Sequence, residues 1–229
     1  MKNIFLKISV LFLVVFSLSF FRVGAQVAGP QAFITWKAKG YAPVNYPGKI
    51  LPGSNSPILA SVDVINGGKP SNLSALTIYW YLNDKLIDRG AGLQSTTFRT
   101  PTSLGGGIVS LRVQIPDYPG GEVSQSVDIP MVSPSIVLYS GLPQNKFSSQ
   151  SIVVSALPYF FTVPDISFLT FSWTVNGQDV QAVENPQSLN ININQGAASG
   201  SALDVKASVT NPAGYFETAS NEQSFIFSL

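Results

Sequence analysis

The chain has 229 residues with no cysteine and no histidine, and 11% of its residues are charged, less than half the share usual in globular proteins. Those absences exclude disulfide staples, a lipid-bearing cysteine, the usual zinc sites, Ser-His-Asp triads, cysteine nucleophiles and imidazole acid–base chemistry. The balance of 13 basic and 12 acidic residues gives no reason to expect nucleic acid as a partner.

Lys2 and Lys7 open the chain, Ile8 to Phe21 is uncharged and rich in Leu, Val, Phe and Ile, and Val23-Gly24-Ala25 presents small residues where a signal peptidase cuts. Residues 1–25 therefore read as a signal peptide removed before Gln26. The rival reading is an uncleaved anchor over residues 4–21, the one circumstance in which a membrane is expected as a partner. In both, the remainder is exported. Losing Lys2, Lys7 and Arg22 leaves 10 basic against 12 acidic residues, a net charge of −2.

A first domain is expected over 26–131. Phe33 to Lys37 reads as its opening strand, followed by a Gly-, Pro- and Tyr-rich loop from Gly40 to Pro57. Ile58 to Ile65 alternates and ends at the turn Asn66-Gly67-Gly68. Leu76 to Leu82 is a strand with Trp80 on its apolar face, and Lys85 to Asp88 returns from it. Ser95 to Thr100, Ile108 to Ile115 and Glu122 to Ile129 complete the set, the last two joined by Pro116-Asp117-Tyr118-Pro119-Gly120-Gly121.

The second domain, 132–229, repeats the order: Ser135 to Tyr139, Ile152 to Ala156, the Trp173 strand Leu169 to Val175, the turn pair Asn176-Gly177, Gln178 to Val180, Ser188 to Asn194, Leu203 to Thr210, and Tyr215 to Phe227. Leu76-Thr-Ile-Tyr-Trp-Tyr-Leu-Asn-Asp84 matches Leu169-Thr-Phe-Ser-Trp-Thr-Val-Asn-Gly177, and Leu111 to Ile115 matches Val205 to Val209. About seven short strands per domain with a buried Trp on the third is the pattern of an immunoglobulin-like sandwich, so the fold class predicted is all-β, two tandem immunoglobulin-like sandwiches after the leader. Where antibody domains place their disulfide, Val62 or Val64 with Val113, and Val154 with Ala207, offer apolar packing instead. The segment Pro130 to Pro134 is too short for a flexible linker and predicts end-to-end stacking with restricted motion.

The Trp-x-[Leu/Val]-Asn-[Asp/Gly] strand and turn, with the later Pro-Asp-Tyr-Pro-Gly or Asn-Pro-Ala-Gly, resembles bacterial immunoglobulin-like domains of the broad PKD and surface-protein kind. The resemblance covers nearly all of the mature chain. It implies spacers, adhesive modules or parts of cell-surface assemblies.

Candidate contact residues follow from an asymmetry between the repeats. With Ile78 and Trp80 inward, Tyr79 and Tyr81 face outward, whereas the second repeat has Ser172 and Thr174 there. Tyrosines on a flat sheet can stack on sugar rings or anchor a protein, and cross-strand packing is the plainer alternative. Trp36, Tyr41 and Tyr46 in and beside the first long loop are the other aromatic candidates, for recognition or for plugging the end of the sandwich. The acids Asp84, Asp88, Asp117, Glu122 and Asp128 are those available in the first domain for glycosidase chemistry, but turn geometry explains Asp84, Asp88 and Asp117, and no Asp-x-Asp-x-Asp cluster suggests calcium. Asn72-Leu73-Ser74 matches a glycosylation acceptor. The expectation is a non-enzymatic, cofactor-free, exported module for structural or adhesive contacts, as in a pilus or envelope assembly. Its partner is expected to be a cell-surface or extracellular protein, or alternatively a polysaccharide bound as an accessory of a secreted system.

Overall fold

The computed structural model describes residues 29–103, 106–182, 185–193, 198–214 and 217–228; the leader, with the boundary proposed for it at Gln26, lies outside the described residues. The first half contains β1 (Gln31–Ala38), β2 (Pro57–Asn66), β3 (Lys69–Pro70), β4 (Thr77–Leu82), β5 (Lys85–Ala91), β6 (Ser95–Arg99), β7 (Gly107–Ile115) and β8 (Val123–Met131). The second contains β9 (Ser135–Tyr139), β10 (Lys146–Phe147), β11 (Ser151–Tyr159), β12 (Thr170–Val175), β13 (Gln178–Val180), β14 (Ser188–Asn192), β15 (Ala202–Thr210) and β16 (Thr218–Phe227). Two single turns of 3-10 helix, Pro143–Asn145 and Ile166–Phe168, are the helical elements among the described residues.

Each half is a sandwich of two sheets. In the first, β2 lies between β1 and β6 and extends into β3, and faces a second sheet of order β5-β4-β7-β8. In the second, β9, β11 and β14 form the sheet of order β14-β11-β9, opposite β13-β12-β15-β16, with β10 added in parallel to the edge of β16. The strand order is the same in both, so the chain is two tandem immunoglobulin-like sandwiches. Alternation along each strand makes the cores: Ile58, Ala60, Val62 and Val64 point inward from β2, and Leu203, Val205, Ala207 and Val209 from β15. The buried residues separate into two clusters, one around Trp80 and one around Trp173.

The tryptophan motif is explained by geometry repeated in both sandwiches. Trp80 is fully buried opposite Val113, and Trp173 is nearly so opposite Ala207. Val62, Val64 and Val154 are likewise buried, so the places of the antibody disulfide are filled by apolar side chains. Each indole N–H donates to a backbone carbonyl thirteen residues on, Trp80 to Leu93 and Trp173 to Pro186, both at 2.9 Å. The ring thus contributes burial of about 4–6 kcal/mol in gross transfer terms while its one polar group stays satisfied.

Three residues after each Trp, an asparagine locks the hairpin. Asn83 (φ 48°) and Asp84 (φ 62°), like Asn176 (φ 49°) and Gly177 (φ 77°), supply the two consecutive positive φ values of a tight turn that matches strand twist. Asn83 Oδ1 accepts the Ser110 amide and Asn176 Oδ1 the Asp204 amide, each at 2.9 Å, tying the turn to the neighbouring strand. The Trp-x-x-Asn signature is therefore a folding device.

Some boundaries differ from the sequence reading. Pro130 and Met131 belong to β8, paired with Ile108 and Gly107, so only residues 132–134 connect β8 to β9. Asp88 lies inside β5 rather than in a turn, and accepts the Thr96 hydroxyl at 2.8 Å. The expected strand starting at Tyr215 begins at Thr218, and Tyr215 itself lies outside the described residues, as does Asn194.

The first long loop crosses to the second sandwich. Tyr41 N–H donates to Phe161 O at 2.7 Å and Phe160 N–H to Tyr41 O at 2.8 Å, a two-way backbone bridge. Val132 N–H donates to Pro52 O at 3.0 Å just beside it. Gly40 lies at this approach, where a Cβ would be 3.2 Å from Phe161 O and would press the two backbones apart by a few tenths of an ångström. Phe160 takes a positive φ of 63°, a conformation bulky residues rarely adopt, and this aims its ring at Tyr46.

Candidate contact surfaces

Strand pairing fixes the neighbours of the outward tyrosines. Tyr79 lies between Arg89 of β5 and Gln114 of β7, and Tyr81 between Leu86 and Arg112. Both rings are half-buried. The Arg112 guanidinium sits over the Tyr81 ring at 4.1 Å from its centroid, held there by Asp84 at 3.2 Å and Gln114 at 3.4 Å. One face of Tyr81 is thereby already occupied by a cation, an arrangement worth about 0.5–1 kcal/mol at an exposed site.

The other candidates lie elsewhere. Trp36 is on the inward-facing register of β1, packs against the first core, and carries the Lys49 ammonium 3.3 Å from its ring centroid. Burial lowers the Lys49 pKa from its ordinary value. Tyr41 packs against the second core, and Tyr46 meets Tyr159 and Phe160 edge-on at 5.8 and 5.6 Å. Burial, and then the charge of Asp165, raises the pKa of the Tyr41 phenol. Asp165 is itself held below the usual carboxylate value by hydrogen bonding from Ser167, whose amide it accepts at 2.9 Å as the cap of the second 3-10 turn. The five candidates are thus not one patch: Tyr79 and Tyr81 share a sheet face, Trp36 belongs to the opposite sheet, and Tyr41 and Tyr46 build the junction between sandwiches.

The sequence reading passed over the polar residues of that junction. Ser56, Thr100, Asn211 and Glu217 are four of the five buried polar residues among those described, the fifth being Thr96. The hydroxyls of Ser56 and Thr162 are 2.7 Å apart across the domain boundary. On the first-domain side Ser56 N–H donates to Thr100 Oγ1 at 2.8 Å, and Thr100 Oγ1–H donates to Gly53 O at 2.7 Å. On the second, the Thr162 amide donates to both carboxylate oxygens of Glu217, at 3.1 and 3.0 Å, and Asn211 Nδ2 donates to Glu217 Oε2 at 2.6 Å. A cavity of about 450 Å³ opens against this network, walled by Asn55, Pro57 and Arg99 on one side and by Val163, Pro164, Phe168, Pro212 and Glu217 on the other. Asn211-Pro-Ala-Gly followed by Glu217 was visible in the sequence, but nothing local indicated that Glu217 would be buried.

No cluster of three or more acidic side chains able to hold a metal ion occurs among the described residues, and no helix there is long and apolar enough to cross a membrane. A second cavity, about 610 Å³, runs between the unpaired edges of β1 and β8 and contains one acid, Glu122.

No protein-family model matches the sequence, and no curated protein matches it. Among solved structures, the fold is similar to the fibronectin(III)-like modules of Clostridium thermocellum CbhA, with 13% identity, 86% of this chain and 94% of that one covered, and a TM-score of 0.29. The central fibronectin-III array of RIM-binding protein gives 12% identity, 90% and 70% coverage and a TM-score of 0.29. The amphioxus IgVJ-C2 molecule gives 13%, 87% and 97%, and 0.27. These likenesses carry nothing about ligand or partner.

Proposed function

We propose that this chain is an exported, non-enzymatic module that holds two sandwiches in a set orientation and contacts a cell-surface or extracellular protein, as a structural or adhesive part of an envelope or pilus assembly. The observation that carries the reading is the junction. Ser56 bonds to Thr162 across the boundary, the buried Thr100 holds Ser56 from one side and the buried Glu217, itself bonded by Asn211, holds Thr162 from the other. The Tyr41–Phe161 backbone bridge lies at the same junction, which is what a spacer or assembly part requires and a flexible tether does not. The Arg112 cover on Tyr81 supports a protein contact over sugar stacking, because a sugar ring would have to displace a guanidinium already held by Asp84 and Gln114. The leader over residues 1–25 and cleavage before Gln26 belong to the same proposal.

The test combines intact mass with cross-linking on whole cells. The expected species begins at Gln26, resides in the medium or on the surface, and cross-links to a protein partner. Exchanging both Tyr79 and Tyr81 for Ala should lower that yield while leaving the unfolding midpoint within a few degrees. Retention inside the cell, or saturable binding to a polysaccharide with no protein cross-link, would overturn it.

A further inference from the structure

Glu217 is 2% exposed and lines the cavity, with both its side-chain oxygens accepting N–H hydrogen bonds. Both donors, the Thr162 amide shared between the two oxygens and Asn211 Nδ2, are neutral groups. The single ion pair among the described residues is Arg112–Asp84, so no cation among the described residues lies within ion-pair reach of Glu217. Buried carboxylates are ordinarily compensated by a cation, and this one lines an open cleft without one. Arg99 stands across the same cavity with its Nη1–H donated to Asn55 O at 2.8 Å.

We propose that the cleft at the junction receives the ammonium group of a lysine side chain presented by a protein partner. Oε2 is already occupied, accepting Asn211 Nδ2 at 2.6 Å and the Thr162 amide at 3.0 Å. Oε1 accepts only the shared Thr162 amide, so it keeps acceptor capacity in a residue that lines the cleft. A compact point charge suits one open oxygen; the fork of a guanidinium needs two. A divalent metal is disfavoured because calcium takes six to eight oxygens, and this cleft offers one carboxylate whose neighbours are N–H donors. Val163, Pro164, Pro212 and the half-exposed ring of Phe168 provide apolar walls for the methylene stem of a lysine. Arg99 is then placed to meet a carboxylate beside that lysine. The proposal rests on the reading of the chain as a protein-contacting module, and names the chemistry of the contact.

The test is a titration of the mature protein with Nα-acetyl-lysine methylamide, followed by amide NMR shifts of Thr162 and the Asn211 side chain. Saturable shifts at millimolar probe are expected, at least tenfold weaker in Glu217→Gln. Phe168→Ala, a surface change that spares the fold, should weaken them a few-fold. Equal shifts with the norleucine analogue, which lacks the charge, would overturn the proposal. So would shifts with calcium chloride in place of the lysine probe, or no shift with any of them, the result expected if Arg99 folds in to neutralise Glu217. If the titration saturates while whole-cell cross-linking finds no protein, the site stands and the assembly reading fails; the reverse outcome removes the site and leaves the reading.

Discussion

Ser56 and Thr162 touch hydroxyl to hydroxyl at 2.7 Å, and through them a continuous hydrogen-bonded path runs from Thr100 in the first sandwich to Glu217 in the second. Each hydroxyl also serves its own domain: Ser56 Oγ accepts the Gly53 amide at 2.9 Å, and Thr162 presents its amide to Glu217. Removing one hydroxyl leaves the other short of a partner in a buried setting, at a cost of about 1–3 kcal/mol. Thr162→Val should therefore lower stability by that order. Combined with Tyr46→Ala, which removes the edge-on contacts to Tyr159 and Phe160, it should turn one calorimetric unfolding transition into two. A single transition in the double variant would show that the backbone bridge at Tyr41 and Phe161 couples the domains unaided.

The strands were legible because alternation is a local signal, and it placed Trp80, Trp173 and the valines on the inward faces where they are found. The junction was not legible, because Tyr41 and Phe161 meet across a separation that no periodicity reports. The same holds for Glu217, an acid in a polar, turn-like stretch that only the second domain's packing buries. The short β3 and β10 escaped notice for another reason: two-residue pairings carry too little pattern to be read. Loop aromatics such as Tyr46 read equally well as recognition residues or as a plug for the sandwich end, because the surface they cover belongs to the other domain.

The repeated Trp-x-x-Asn device predicts matched responses in the two sandwiches. Asn83→Gly and Asn176→Gly keep the positive φ but lose the side-chain acceptor for Ser110 or Asp204, so each should cost about 1 kcal/mol. Alanine at either site adds the strain of a left-handed conformation and should cost visibly more. Urea denaturation of the four variants checks this; equal costs for Gly and Ala at both sites would remove the turn from the explanation.

On the tyrosine face, Arg112 is shared between Tyr81, Asp84 and Gln114, so its loss should alter binding more than folding. The ion pair is solvent-exposed on the Asp84 side, and such pairs contribute about 0–1 kcal/mol. Arg112→Ala is expected to leave the unfolding midpoint nearly unchanged while reducing surface cross-linking as strongly as loss of Tyr79 and Tyr81. A drop of several kcal/mol would instead make the cluster part of the scaffold.

Alkaline pH should loosen the junction through Tyr41. Its phenol is raised above the ordinary value of 10.0 by burial, with the Asp165 charge adding to the shift. The unfolded chain then gives up that proton at lower pH than the folded one. The stabilisation linked to the neutral phenol is therefore complete below pH 10 and is lost as pH rises through the raised folded value. Tyr41→Phe keeps the ring and removes the titration, so its stability should decline less steeply than the parent's above pH 10. Asp165→Asn withdraws the second cause and should bring the Tyr41 absorbance transition partway back toward pH 10. Parallel declines in parent and Tyr41→Phe would place the alkaline sensitivity in other tyrosines and leave the junction insensitive to the phenol's charge.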